Sequence, residues 1–282
     1  MSDWKFEAIG TVWTISTPTE ISKNIQQKVT SKIRVFDKNY SRFRSDSLVT
    51  QISKKPDNYK LPQDAKPMLD FYKKLYDITD GLVTPLIGKT IEQAGYDANY
   101  SFQPGKLTSP PSWNQSVDYN FPNITIKKPV LLDFGAAGKG YLVDIVGEIL
   151  RTSSINNFVI NAGGDILVHG KPQAVLLENP DDNSLILGST VIQNAAFCGS
   201  GISKRNWGKY HHVIDPKKLI SPTNIKSVWV QAESTMLADG LATALMFVDA
   251  NKLRKYFGFE YAMIVGEDIK LSQNFNAEFF RT

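Results

Sequence analysis

The chain has 282 residues, 42% hydrophobic and 21% charged, with a net charge of +4, the composition of a soluble globular protein with room for a substantial core in one domain or two. Lys and Arg are scattered without a basic block, which excludes a duplex nucleic-acid footprint as partner. The single cysteine, Cys198, excludes an internal disulfide and a zinc cluster, and the lack of a transmembrane-length apolar run or signal-like core predicts a cytoplasmic protein with no membrane partner.

In chain order, residues 4–16 alternate and are rich in Trp, Ile, Val and Thr, which predicts a strand with Gly10-Thr11 inside it. A helix of mixed polarity follows from Glu20 to about Val35, then a polar loop bearing arginine, Tyr40-Ser-Arg-Phe-Arg-Ser-Asp-Ser47. A second helix is predicted from about Pro67, a residue suited to a first turn, to Thr79, with Asp80-Gly81 as its stop. Residues 81–120 read as loop because of Pro85, Pro104, Pro110 and Pro111. Strands at Ile124–Leu132 and Phe158–Ile160 flank a helix from Gly140 to Arg151; several short strands fill 165–230. After the helix that begins near Ser234, a helix at Asn251–Phe257 and a strand at Tyr261–Val265 close the chain. No repeat or linker stands out, and the interleaving predicts an α+β fold in one compact unit.

The stretch Glu233–Phe247 is the most informative. At helical spacing Leu237, Leu241, Leu245 and Val248 form an apolar row with Ser234 as N-cap. Asp239 and Thr243, four residues apart, point the same way among small residues. No Lys or Arg lies between Lys226 and Lys252, so the helix itself offers Asp239 no cation. A crowded carboxylate without a charge partner is costly, and a divalent cation held by carboxylate and hydroxyl oxygens is one remedy. A carboxylate satisfied by backbone N–H groups or the helix dipole is the other reading.

Two Gly-Lys sites do not make a P-loop. Gly88-Lys89-Thr90 has Val83 where the leading glycine belongs, and Gly138-Lys139-Gly140 has Asp133 there. The stretch Asp133–Tyr141 still joins a strand to a helix through three glycines, so backbone N–H groups can approach a phosphate or the turn can be purely structural. Asn161–Asp165 is a second glycine turn, read as structural. Tyr210–Pro216 carries two of the three histidines; alternation sends His211 and His212 to opposite faces, one to a cleft as general base and the other to solvent, with a pair of partly exposed strand histidines as the alternative.

Together these stretches resemble the ApbE family, the FAD:protein FMN transferases. The likeness runs in order along nearly the whole chain: Ile9-Gly10-Thr11, Tyr40–Ser47, Thr79-Asp-Gly81, Asp133–Tyr141, Asn161–Asp165, Ser200-Gly201, His212–Pro216 and Ser234–Leu245. The resemblance implies a single compact ApbE-like, T-fold-like domain over 1–282, with mixed or antiparallel sheets and flanking helices. It implies an enzyme that uses Mg²⁺ or another divalent cation to move the FMN half of FAD onto a Thr or Ser hydroxyl of a client protein as a phosphoester, releasing AMP. The implied metal ligands are Asp239, Thr243 and the carbonyl of Gly138; the implied base is His212. The flavin nucleotide would be held around Ile9, Phe43, Leu82, Val83, Thr84, Gly135, Tyr141 and Val213, with Lys139 near the phosphates.

The chain departs from the family pattern at three points. Val83-Thr84 stand where a Phe-Asp pair is usual, Gly138 replaces an alanine, and Lys217-Lys218-Leu219 follow His212–Pro216 where Thr-Gly is usual. A lipoprotein signal is also missing, which fits an intracellular client. Two alternatives use the same residues: an FAD pyrophosphatase that releases free FMN and AMP, and a flavin-binding protein without turnover.

Overall fold

The alternating N-terminal residues form a hairpin. Ser2–Ala8 (β1) and Thr11–Thr17 (β2) pair antiparallel, with Ala8 opposite Thr11. The two turn residues, Ile9 and Gly10, both have positive φ, 43° and 75°, the two-residue turn whose twist suits a hairpin. Alternation continues across this turn, so the pattern alone hid the reversal and predicted one strand.

The computed structural model describes residues 1–182, 184–203 and 205–280. The chain divides into two compact units, Met1–Ile33 with Lys139–Lys204 and Thr223–Thr282, and Arg34–Gly138 with Arg205–Pro222.

The first unit is built on an eight-stranded antiparallel sheet. To β1 and β2 it adds Phe158–Ala162 (β3), Asp165–His169 (β4), Ala195–Gly201 (β5), Ile225–Ala232 (β6), Glu260–Val265 (β7) and Asp268–Leu271 (β8). Within this sheet the strands lie in chain order, each of the eight pairing with the next of the eight. A three-stranded sheet of Gln173–Glu178, Ile186–Ile192 and Ala277–Phe279 supplies Val175, Leu177 and Ile192 to a core shared with Phe197, Trp229 and Ile264. The helix Thr235–Ala244 packs on β5 and β6. Its predicted row Leu237, Leu241 and Leu245 is buried, worth about 2 kcal/mol per side chain relative to exposure. Val248 lies beyond the helix end and is only half-buried.

The second unit contains the helices Leu48–Lys54, Ala65–Ile78, Gly88–Gln93 and Trp113–Ser116, a three-stranded sheet of Asn58–Lys60, Asn123–Ile126 and Val117–Asn120, and the hairpin Asn206–Trp207 with Tyr210–His211. Trp207, Tyr210 and Ile214 pack with Ile91 and Ala94 in one core cluster. Residues 81–120 are thus more regular than their prolines suggested, because Pro85 opens a 3₁₀ turn at Pro85–Ile87 rather than breaking structure. The helix end at Asp80-Gly81 is as predicted, both residues having positive φ, 54° and 79°. The helix predicted at Glu20–Val35 runs from Lys23 to Tyr40, and the strand predicted at Ile124–Leu132 ends at Ile126. The fold class is α+β, with antiparallel sheets and flanking helices.

Candidate active site

The first unit gathers an acidic cluster around the helix Thr235–Ala244. Ser234 Oγ accepts from the Leu237 N–H at 3.3 Å, and the two Asp144 carboxylate oxygens accept from Thr235 N and Met236 N, both at 2.8 Å. The donors that a helix start leaves open are therefore satisfied. One turn on, Asp239 is 6% exposed and its Oδ2 accepts from Gly140 N at 3.0 Å. A Cβ at Gly140 would stand 2.3 Å from the Thr235 carbonyl oxygen and 2.8 Å from Asp239 Cβ. Only glycine permits that approach.

The helix bearing Asp239 has no cation, but the glycine turn brings one. Lys139 forms an ion pair with buried Asp165, and its charge also acts on Asp239. Burial, reinforced by the Asp165 charge, still pushes the Asp239 carboxyl well above the usual carboxylate range. Burial opposes the Lys139 charge, yet Asp165 and Asp239 outweigh it and hold the ammonium above its ordinary value. Cys198 Sγ lies 3.6 Å from the Thr235 carbonyl, and burial pushes its thiol well up, so it stays a protonated, inert side chain. Thr243 is half-buried on the same helix face as Asp239.

This donor set fits a small hard cation. Among the described residues no three His, Cys, Asp or Glu side chains gather as a metal site. A cation here would rely on Asp239, the Thr243 hydroxyl, backbone carbonyl and ligand oxygens, the mixed oxygen set that Mg²⁺ accepts while keeping some water. Ile9, in the β1–β2 turn, and Tyr141 are both half-buried. The Asn161–Asp165 turn joins β3 to β4 with Gly163 and Gly164 at φ 64° and 101°. It is a structural turn that also delivers Asp165.

The second unit holds the remaining sequence candidates. Asp133 Oδ1 accepts from Gly135 N at 2.8 Å and its Oδ2 from Arg42 Nε at 2.5 Å, so one carboxylate shapes the turn and anchors a buried arginine. Phe43 meets the Arg42 guanidinium and stacks with Tyr100, their ring centroids 5.4 Å apart and planes 7° off parallel. Gly138 N donates to the Phe134 carbonyl at 2.7 Å, and a Cβ there would press to 3.1 Å on Phe134 Cβ. An alanine here would need Phe134 to give by a few tenths of an ångström. Thr84 is buried and its Oγ1 accepts from Leu86 N at 3.2 Å, capping the 3₁₀ turn; Val83 is buried and Leu82 half-buried.

The two histidines differ sharply. His211 is 4% exposed, with Nε2 2.7 Å from the Pro222 carbonyl and Nδ1 accepting from Val213 N at 3.2 Å. The first contact makes Nε2 the protonated nitrogen. The expectation that one histidine faces solvent is therefore corrected: the short strand ends at His211, which turns into a polar pocket rather than outward. His212 is partly exposed, but its Nδ1 is buried with no hydrogen-bond partner among the described residues. Burial first, then the Arg205 charge, lowers its pKa to about 4. It is a neutral imidazole at physiological pH. Val213 beside it is buried.

The model of the ApbE family matches residues 9–264. The chain belongs to the ApbE family. Its relatives include the FAD:protein FMN transferase of Haemophilus influenzae, 24% identical over 263 residues and covering 83% of this chain and 75% of that protein. The enzyme of the same name from Buchnera aphidicola is 22% identical over 290 residues, covering 89% and 81%. Among solved structures, the flavin transferase ApbE from Vibrio cholerae superposes with a TM-score of 0.81 at 20% identity, covering 97% of both chains. The ApbE protein of Thermotoga maritima gives 0.82 at 21% identity, again over 97% of both. These last two likenesses establish the ApbE fold.

Three residues of this ApbE chain escaped the sequence reading. Asp144 and Asp165 bond to segments distant in the chain, and Arg42 lay unassigned inside a motif valued for Phe43. A signal existed for Arg42 alone: an arginine beside an aromatic in a short loop is a stacking pair by composition.

Proposed function

We propose that this chain transfers the FMN half of FAD to a Thr or Ser hydroxyl of a client protein, releasing AMP. The observation that carries the reading is the match to the ApbE family over residues 9–264, with relatives named FAD:protein FMN transferase. His212, an imidazole that burial and Arg205 hold neutral, is the proposed base, since a base must be deprotonated to take a hydroxyl proton. In the proposed step the client oxygen bonds to the FMN phosphorus, the bond to the AMP phosphate oxygen breaks, and the hydroxyl proton passes to His212. Asp239 and Thr243, with the Gly138 carbonyl, would hold Mg²⁺, which when bound supplies charge neutralisation at the pyrophosphate oxygens. Phe43, Leu82, Val83, Thr84, Gly135 and Val213, with Ile9 and Tyr141, are assigned to the flavin nucleotide, and Lys139 to the phosphate end beside Asp165.

The relatives named FAD:protein FMN transferase support the transfer itself. The test is incubation with FAD, Mg²⁺ and candidate client proteins, followed by a search for fluorescent flavin on a denaturing gel. A labelled client band is expected. Free FMN formed from FAD alone, with no labelled client, would favour the pyrophosphatase reading; binding with no product would leave only a flavin-binding protein.

A further inference from the structure

The second unit contains a buried cation whose hydrogen-bonding capacity is only partly used. Arg42 is 5% exposed. Its Nε is taken by Asp133, but Nη1 and Nη2 are buried and have no hydrogen-bond partner among the described residues. A guanidinium directs most of its N–H donors from those two atoms, and buried donors left unpaired are costly. Aromatic faces offset part of the charge: the guanidinium carbon lies 4.2 Å from the Phe43 ring centroid and 5.3 Å from that of Tyr96. Such faces do not replace oxygen acceptors in the guanidinium plane.

The surroundings define the missing acceptor. Phe43 stacks on Tyr100, and Tyr96 on Trp207, with Tyr100 46% exposed, so flat π surfaces border the arginine up to solvent. The Arg42 charge is already matched by Asp133, which removes most of the drive toward a phosphate anion and leaves directional N–H donors for a neutral oxygen. The same carboxylate accepts from the Gly135 N–H, so Asp133 ties the arginine to the glycine turn.

We propose that the Nη1/Nη2 edge of Arg42 is a fork for a ring carbonyl of the isoalloxazine, reached when the ring displaces the aromatic side chains that cover it, which makes Arg42 a recognition residue for the flavin half of the substrate. The inference rests on the reading of FAD as substrate and adds the group that would distinguish a flavin ring from other planar ligands.

The experiment measures binding of FAD, riboflavin and ADP to the wild type, Arg42→Met and Arg42→Lys, by flavin fluorescence quenching and by calorimetry for ADP. Riboflavin carries the ring without phosphate; ADP carries the diphosphate without the ring. Arg42→Met should weaken riboflavin and FAD by about 10- to 100-fold, the usual loss for a charged hydrogen-bond donor, and leave ADP within about two-fold. Arg42→Lys should be nearly as weak, because an ammonium keeps the charge but lacks the planar fork. Should Arg42→Met fail to fold by circular dichroism, Asp133→Asn retains the arginine and releases its anchor, and should weaken riboflavin several-fold more than ADP. Unchanged riboflavin affinity in the folded variants, or a loss of ADP binding equal to that of FAD, overturns the proposal. A wild type that binds neither flavin overturns the FAD reading as well, so the two failures are distinguishable.

Discussion

Adjacent histidines with different partners make different predictions. His212→Ala should lower client flavinylation by roughly two to four decades with FAD affinity unchanged, the signature of a lost general base; a fall of less than three-fold in single-turnover gel assays would remove His212 from that role. His211→Ala should instead cost about 2 kcal/mol of stability, because it deprives Val213 N and the Pro222 carbonyl of partners in a buried pocket; the denaturant midpoint reads it. The His212 titration also has a sign. Its pKa is near 4 in the folded protein and near 6.5 when unfolded, so stability is fully present above pH 6.5. As pH falls below that value the unfolded chain takes the proton first, and the loss is complete below about pH 4, amounting to at most about 3 kcal/mol. His211, also lowered chiefly by burial, adds in the same direction. His212→Asn should flatten this stretch of the stability curve. Parallel curves for variant and wild type would mean that the ring is not held neutral by burial.

At the scale of the element, the helix Thr235–Ala244 shows what local sequence can and cannot reveal. Its N-cap, the row Leu237, Leu241 and Leu245, and the shared face of Asp239 and Thr243 follow from spacing within one segment and were legible; only Val248 was placed a turn too far along the helix. The neighbours of the helix were not legible. Gly140 and Asp239 are 99 residues apart, and Asp144 lies 91 residues before the Thr235 N–H it caps. No periodicity encodes such pairings, so the cation that meets Asp239 was invisible in a search confined to its own helix. The cluster carries a direct test. Mg²⁺ should raise the melting temperature of the wild type by mass action, and Asp239→Asn, nearly isosteric, should abolish that rise while keeping the Gly140 contact through its amide oxygen. An equal Mg²⁺ response in both proteins would take Asp239 out of the metal site.

For the whole molecule, the α+β class and the order of motifs were legible because strands and helices differ in period and the motifs stand in a fixed sequence. The Ile9-Gly10 reversal and the regular elements within 81–120 were not, since a turn that preserves alternation and a proline that opens a helical turn both mimic their opposites. Nor did the sequence show that the second unit is assembled from two separated segments, Arg34–Gly138 and Arg205–Pro222. Trp207, Tyr210 and Ile214 of the later segment pack with Ile91 and Ala94 of the earlier one, and the Trp207 indole donates to the Ala94 carbonyl at 2.7 Å. A fragment of residues 34–138 should therefore lack cooperative unfolding by circular dichroism, and adding residues 205–222 through a short linker should restore it; a sharp transition for 34–138 alone would show that the later segment is dispensable. The same arrangement bears on synthesis at the ribosome. A nascent chain that stalls or is cleaved before residue 205 can lay down β1 to β5 but possesses neither His212 nor the Trp207 anchor, so truncated products cannot carry the proposed base and this chemistry must wait until late in translation.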